Sequence, residues 1–283
     1  MTILEIIQRS SDFLAKKGVE SPRLQIELML CHVLSLPRMQ LYLNFERQLT
    51  AEQVDTLRGF VQRRGNREPL QYILGTTCFC GLDLTVNKHV LIPRPETEIL
   101  AERGWTYLQS LGEGKTALDF GTGSGCLAIT LAAHCPKAQI HALDISADAL
   151  SVVRGNAEKN KVSIQFHHGD GFAALSQDLR FDLIVANPPY IPDTEIETLE
   201  PEVRDFEPRA ALSGGGDGLD FFRRMATEAP RFLQPNAPIM LEFSDGQSPA
   251  IRAIFEQQNW VVEAVEPDYT QRLRIFIARY NQK

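Results

Sequence analysis

Long apolar runs are missing from this sequence, and so is any excess of positive charge. No stretch approaches the roughly 18–20 residues that a membrane span needs, so no membrane partner is expected. Basic residues number 29 against 36 acidic ones, a formal charge of −7. That balance argues against strong non-specific attraction to nucleic acid, although a local basic face is compatible with it. Cysteines are few and odd in number, five in all. They form no paired CxxC blocks. Cys78 and Cys80 are the one close pair, with no His or Cys cluster beside them in sequence. Reduced thiols in a cytoplasmic protein are therefore expected, with no disulfide and no metal. The N-terminal stretch "MTILEIIQRSSDFLAKKG" mixes charge into its apolar residues, so it does not read as a secretory signal.

What is present suits one large or two ordinary domains: 283 residues, 43% of them hydrophobic, enough for a sizeable core. Residues 1–72 carry amphipathic stretches. Ile3, Ile6, Ile7, Phe13 and Leu14 recur at helical spacing. "SPRLQIELMLCHVLSL" opens with Ser21 as N-cap and Pro22 at the first helical position, and Leu24, Ile26, Leu28, Leu30, Cys31 and Leu34 form its apolar face. "TAEQVDTLRGFVQRRGN" has Thr50 and Gln53 at the spacing of a capping box. A small all-α domain is expected. From about residue 70 the texture changes to aromatic and β-branched alternation broken by Gly75, Gly81 and Asn87, which predicts a β-hairpin linker over 73–95.

Residues 96–283 alternate strand-like with helix-like segments. The strands are "TALDF", "QIHALDI", "VSIQFHHG", "FDLIVAN" and "APIMLEF"; the helices are "GCLAITLAAHC", "ADALSVVRGNAEKN" and "SPAIRAIFEQQN". Such alternation predicts an α/β domain with a parallel sheet covered on both faces. "WVVEAVEP" and "RLRIFIARY" then follow one another without a helix, as an antiparallel terminal pair would.

"ALDFGTGSGCLAI" places Gly121, Gly123 and Gly125, with Thr122 and Ser124 between them, where the first strand of this domain turns into its first helix. Glycines there let a ligand approach the backbone closely. Asp144 ends the next strand, where an acidic side chain can accept hydrogen bonds from both hydroxyls of a ribose. The spacing is G-x-G-x-G rather than G-x-G-x-x-G, and no lysine follows, so neither the dinucleotide fingerprint nor the P-loop is matched. A strand, a glycine loop and a ribose acid without a pyrophosphate signature suit S-adenosylmethionine. Asp170 and Gly171, in "HHGDGF", belong at the same carboxyl edge of the sheet, while His167 and His168 read as strand residues.

"DLIVANPPYI" is a buried strand that ends abruptly in Asn187, Pro188, Pro189 and Tyr190. Proline has no N–H to continue a ladder, but it restricts the backbone and so aims its carbonyl. A planar –NH₂ becomes more acidic as it attacks a methyl carbon. Two fixed acceptors, the Asn187 side-chain oxygen and the Pro188 carbonyl, favour that state over the ground state. Tyr190 can pack against the flat substrate group. The candidate catalytic residues are thus Asn187 and Pro188, with Asn187 also expected beside the cofactor.

"NPPY" after "DLIVA", with "DFGTGSG" upstream, resembles the class I methyltransferases that act on amide or exocyclic amino nitrogens. "LIPRPETE" (91–98), "FEPRAALSGGGDGLDFFR" (206–223) and the helical N-terminus narrow the resemblance to the peptide chain release factor glutamine methyltransferases, the HemK/PrmC family, over nearly the whole chain. The resemblance implies a class I S-adenosylmethionine-dependent methyltransferase fold, Rossmann-like, with a mostly parallel seven-stranded sheet and an antiparallel C-terminal hairpin. It further implies methylation of N5 of the glutamine in the GGQ motif of release factors 1 and 2, with S-adenosylhomocysteine as the other product, and a helical domain that docks the substrate. Gly121 to Gly125 and Asp144 match the family's cofactor positions, and Asn187 to Tyr190 its glutamine-binding stretch. Gly171 stands where some members carry a tryptophan beside the adenine; Phe172 is a candidate replacement. Arg94, Glu96 and Glu98 match the "RPETE" signature and are expected to shape a pocket. "LEFSDGQ" (241–247) departs from the family, which has a glycine soon after the Glu, and Gln271 replaces a usual glycine. An adenine or cytosine amino-methyltransferase uses a nucleophile of the same electronic form. The acidic charge and the lack of an obvious basic target-recognition domain weigh against a nucleic-acid substrate.

Overall fold

The computed structural model describes residues 1–281. Two compact units are present: one of Met1–Thr76 together with Glu200–Phe206, the other of Thr77–Leu199 and Glu207–Lys283.

The first unit contains helices α1 (Ile3–Lys16), α2 (Pro22–Leu34), α3 (Arg38–Leu43), α4 (Ala51–Gly65) and α5 (Leu70–Leu74). Capping boxes start α1, through Thr2 and Glu5, and α4, through Thr50 and Gln53. Ser21 precedes α2 and Pro22 opens it, but the Ser21 side chain does not cap. Its backbone is left-handed (φ 46°), whereas a capping serine needs an extended backbone to turn its hydroxyl onto the first-turn N–H groups. The core is built from Ile3, Ile6, Ile7, Leu14, Ile26, Met29, Leu30, Leu57 and Val61. Leu24 and Phe13, placed on the apolar faces by spacing, are about 40% exposed (39% and 40%). On α2 a carboxylate is buried instead: Glu27 accepts from Arg23 Nε (2.9 Å), Arg38 Nε (2.7 Å) and the Tyr42 hydroxyl (2.8 Å). "LQYIL", expected as strand, is α5, opened by Pro69 and closed by Gly75.

The distant segment Glu200–Phe206 joins these helices through charge. Arg64, almost fully buried, donates to Glu202 Oε1 at 2.6 Å and to Gln25 Oε1 at 2.5 Å. Arg67 adds a bidentate contact to Glu202, at 2.7 and 2.6 Å.

The second unit begins at Thr77, one residue into the hairpin of β1 (Thr76–Phe79) and β2 (Leu82–Thr85). There follow α6 (Pro95–Ser110), β3 (Thr116–Phe120), α7 (Cys126–His134), β4 (Gln139–Asp144), α8 (Ala147–Lys159), β5 (Gln165–His168), β6 (Leu183–Ala186), the short α9 (Pro201–Arg204) counted with the first unit, α10 (Asp220–Glu228), β7 (Pro238–Glu242), α11 (Ser248–Gln257), β8 (Trp260–Pro267) and β9 (Leu273–Tyr280). The sheet has seven strands in the order β5-β4-β3-β6-β7-β9-β8. Pairings from β5 through β7 are parallel, and β9 is antiparallel to both β7 and β8. The all-buried pattern of β6 and β7 is what helices on both faces require. Helix α10, absent from the sequence-based reading, supplies the crossover between β6 and β7, with Phe222, Met225 and Ala226 in the core. Strand order reverses between β3 and β6, the place where open α/β sheets form a ligand crevice beyond their carboxyl ends.

Replacing Glu202 by Ala strips the Arg64 guanidinium of its buried counter-charge. The variant is expected to lose about 3 kcal/mol of stability in the helical unit, read by urea unfolding, and to be cleaved faster around residues 200–206 in limited proteolysis.

Candidate active site

A cavity of about 350 Å³ lies over the carboxyl ends of β3, β4 and β6. Of the residues singled out from sequence, Gly121, Thr122, Gly123, Ser124, Asp144, Gly171, Asn187, Pro188 and Pro189 line it; Gly125 and Tyr190 do not.

The glycine loop is set by its neighbours. Gly121 and Thr122 both donate their N–H to the Leu143 carbonyl, at 2.8 and 2.9 Å, which ties the end of β3 to the end of β4. Asp144 reaches back: its carboxylate accepts from Gly123 N (2.8 Å) and Ser146 N (2.9 Å). Beneath the loop, wholly buried Asp119 accepts from the Thr122 hydroxyl (2.6 Å) and from Ala128 N (3.1 Å) in the first turn of α7. Burial pushes the Asp119 carboxyl up to about 7, with the nearby Asp144 charge acting in the same direction. Gly125 is structural. It has φ 83°, and a Cβ there would lie 2.2 Å from Val153 Cγ2 on α8.

At Gly171 the sequence-based suggestion about Phe172 is corrected. Phe172 is buried, stacked on Phe232 (4.8 Å between centroids) and tilted against Phe120 (4.8 Å), so its ring belongs to the core and not to the cavity. The space beside Gly171 is taken by Arg224 of α10, which lines the cavity. A Cβ at 171 would lie 2.2 Å from Arg224 Nη2. Arg224 also pairs with the Asp170 carboxylate and donates to the Asp170 carbonyl at 3.0 Å.

The strip from Asn187 to Tyr190 follows β6 and is held from behind. Gln247 Nε2 donates to the Tyr190 carbonyl (2.9 Å), and Ile191 N donates to the Leu212 carbonyl (3.0 Å). Gln247 belongs to the departing "LEFSDGQ" segment, so that departure supplies a clamp. The Tyr190 hydroxyl points away from the cavity and donates to Glu242 Oε1 at 3.3 Å. Asn187 Nδ2 donates to Thr97 Oγ1 (3.0 Å), and the Thr97 hydroxyl donates to Glu242 Oε2 (2.7 Å). Thr97 and Glu242 are buried, and burial raises the Glu242 carboxyl to about 7. Sequence reasoning passed over both. Thr97 sits inside the quoted "RPETE", and Glu242 is the Glu of "LEFSDGQ", so each lay in a segment already marked but without a stated partner.

The other residues of that signature are arranged around the site rather than in it. Arg94 Nη2 donates to Glu207 Oε2 at 2.6 Å, joining "RPETE" to "FEPR". Burial raises the Glu207 carboxyl, with Arg94 opposing the shift. Glu98 accepts from Cys80 N at 2.7 Å and so fastens the hairpin turn. Glu96 lies near enough to Glu242 to raise its carboxyl further. Gln271, at the usual glycine position, takes the left-handed φ of 68°. His167 of β5 stacks on His141 with nitrogens 2.8 Å apart, away from the cavity lining. Among the described residues no group of three or more His, Cys, Asp or Glu side chains is placed to hold a metal ion, and no helix is long and apolar enough to cross a membrane.

Sheet order, glycine loop and acidic residue after the second strand define a class I S-adenosylmethionine-dependent methyltransferase. A methyltransferase from Pyrococcus furiosus has the same fold: TM-score 0.54, 19% identity, covering 72% of this chain and 91% of that one. Residues 5–75 match the PrmC N-terminal domain and residues 98–201 the Methyltransferase small domain. The release factor glutamine methyltransferase of Geobacter sulfurreducens is 44% identical over 256 residues, 90% of this chain and 89% of that protein. The one from Nitratidesulfovibrio vulgaris is 38% identical over 285 residues, covering 99% and 96%. The chain belongs to the release factor glutamine methyltransferase family.

The buried Asp119 carboxyl yields a pH-dependent outcome. Its folded pKa is raised, so its favourable contribution is complete below the ordinary carboxyl range and is lost as pH rises toward about 7. Asp119→Asn can keep an oxygen for Thr122 and Ala128 but has no charge to bury. The stability of the parent relative to this variant is expected to fall between pH 4 and 7, by at most about 1.4 kcal/mol per pH unit, in paired denaturant titrations. A pH-independent difference would contradict the assignment.

Proposed function

We propose that this chain transfers a methyl group from S-adenosylmethionine to the side-chain amide nitrogen of the GGQ glutamine of class 1 release factors. One observation carries the reading: Asn187 and Pro188 line the same cavity as the glycine loop and Asp144, so amide acceptors and a ribose-type acid face one space. The residues fit the cofactor. Asp144 offers a carboxylate whose two oxygens are each fixed by a backbone N–H, Gly121 and Gly123 present bare backbone, and the Thr122 hydroxyl between them is tied to Asp119. When bound, the cofactor supplies an electrophilic methyl carbon on a sulfonium.

The chain's own work is to make a poor nucleophile reactive. A glutamine amide lone pair is delocalised into its carbonyl. As the N–C bond forms and the sulfonium–methyl bond breaks, that delocalisation is lost and the N–H protons become more acidic; one of them leaves to solvent, so that the product is a neutral secondary amide. The Asn187 side-chain oxygen and the Pro188 carbonyl accept from those N–H groups and therefore bind the developing state more strongly than the ground state. Position is the other contribution: holding the nitrogen in line with the methyl carbon replaces a bimolecular encounter. Both acceptors are neutral. The nearby Glu242 has its oxygens committed to Thr97 and Tyr190 rather than to the nucleophile. With its hydroxyl turned to Glu242, its carbonyl held by Gln247 and its ring packed against the core, Tyr190 anchors the strip from outside the cavity.

Release factors 1 and 2 are the proposed partners, and the cytoplasm the proposed compartment. The helical residues 1–72 are proposed to dock the body of the release factor. Met39 and Leu43 on α3, 69% and 72% exposed, offer it an apolar contact. The double substitution Met39→Asp, Leu43→Asp is expected to raise KM for whole release factor about tenfold with kcat unchanged. An unaltered KM removes α3 from the docking surface.

The reading is tested by incubating the protein with labelled S-adenosylmethionine and either release factor or nucleic acid, then mapping the modified position by mass spectrometry. Label is expected on the GGQ glutamine alone, and label on adenine or cytosine would overturn the proposal. Asn187→Ala is expected to bind cofactor as the parent does and to lose about 100-fold or more in kcat.

A further inference from the structure

Asparagine presents an oxygen and an NH₂ group of nearly the same size, and only one of them suits an acceptor site. Turned the other way, Asn187 would set two N–H donors against the N–H groups of the substrate amide. Something must decide the orientation. We infer that Thr97 and Glu242 form a buried relay that fixes the Asn187 amide with its oxygen toward the substrate nitrogen, making both of them positioning residues for methyl transfer. The inference rests on the function proposed above.

The number of protons available decides the orientation. The Thr97 hydroxyl carries one, and it is donated to Glu242 Oε2 at 2.7 Å. An ionised carboxylate only accepts, so that direction is forced. Thr97 Oγ1 therefore faces Asn187 as an acceptor. The Asn187 atom 3.0 Å away must be the amide nitrogen, which leaves Oδ1 for the cavity. Glu242 Oε1 imposes the same polarity on the Tyr190 hydroxyl, so one carboxylate directs donors at both ends of the Asn-Pro-Pro-Tyr strip. Neither Thr97 nor Glu242 lines the cavity. Both are almost wholly buried, so water is not on hand to reverse the chain of donors. Sheet register explains how Glu242 arrives there: Ala186 of β6 is paired with Leu241 of β7, and Asn187 and Glu242 are the next residues on neighbouring parallel strands. Thr97 comes from the first turn of α6.

The relay has a protonation state. Burial raises the Glu242 carboxyl to about 7. Thr97 of α6 and Tyr190 of the strip donate to it; Glu96 of α6 raises it further, and Arg274 of β9 lowers it. Cys126, at the start of α7, feels the same charge. Protonated, Glu242 can itself donate to Thr97, which then turns its proton toward Asn187 and favours the wrong face of the amide. Turnover should therefore fall as pH drops through about 7, the carboxylate being the working form.

The test uses the full chain and its Glu242→Gln, Thr97→Val and Thr97→Ser variants, with release factor as substrate. S-adenosylhomocysteine affinity is measured by calorimetry, and the Asn187 side-chain NH₂ resonances are followed by NMR. Glu242→Gln and Thr97→Val are expected to lower kcat about 100-fold with cofactor affinity unchanged, while Thr97→Ser, which keeps the hydroxyl, stays near the parent. The Asn187 NH₂ signals should titrate near pH 7 in the parent and not in Glu242→Gln, which should also lose the acid limb of the kcat profile. Full turnover in both Thr97→Val and Glu242→Gln, or Asn187 signals indifferent to pH and to both substitutions, would overturn the relay. A parent that methylates no release factor refutes the proposed function instead, and the NMR readout then decides the relay by itself.

Discussion

Parallel pairing of β3 with β6 places Phe120 and Ala186 near one edge of the sheet, although 65 residues separate them in sequence. Everything that follows those two strands inherits the same location. The glycine loop leaves β3 and the Asn-Pro-Pro-Tyr strip leaves β6, both into the crevice where strand order reverses. β4 on one side contributes Asp144, and β7 on the other contributes Glu242. Four adjacent strands thus deliver the glycine loop, Asp144, the Asn187–Pro188 pair and a buried carboxylate to one line. A slip of one residue in any pairing would turn these side chains to the opposite face of the sheet.

Around that line the polar groups are layered. Asp144 and Asn187 face the cavity. Glu242 sits behind Asn187 and is reached through Thr97, whereas Asp119, buried beneath the glycine loop, is itself among the cavity's lining residues and accepts from Thr122; both carboxyls have raised pKa values. Buried carboxylates are costly unless their oxygens are satisfied, and when ionised they only accept, which fixes the donor direction of their neighbours. The polarity around Glu242 therefore follows its protonation state.

The segments that departed from the expected family pattern are accommodated by local physics. Gln271 takes the left-handed backbone that a glycine would adopt more cheaply, and Gln247 uses its longer side chain to hold the Tyr190 carbonyl and, through Oε1, to accept from Ser244 N. The missing aromatic beside Gly171 is a different matter. Phe172 turns inward because the core under α10 is built of stacked phenylalanines, and Arg224 stands where a side chain at 171 would have stood. No periodicity in "HHGDGF" distinguishes a ring that faces a cavity from one that faces a core.

The class of fold, the helix caps at Thr50 and Gln53, the alternation that builds the sheet, the antiparallel terminal pair, and the positions of Gly121, Asp144 and Asn187 at strand ends are all legible in the amino-acid order. These are local properties: a capping spacing, a run of buried β-branched residues, a glycine where a strand must turn. Tertiary structure alone decided which distant groups meet. Thr97 reaches Asn187 across 90 positions and Glu242 across 145, Arg94 finds Glu207, and Glu200–Phe206 joins the helices of the first unit. A hydroxyl or carboxylate has no periodicity to announce its partner. Its hydrogen bonds are satisfied wherever the chain's packing happens to bring a donor, and that is settled only once the strands are in register.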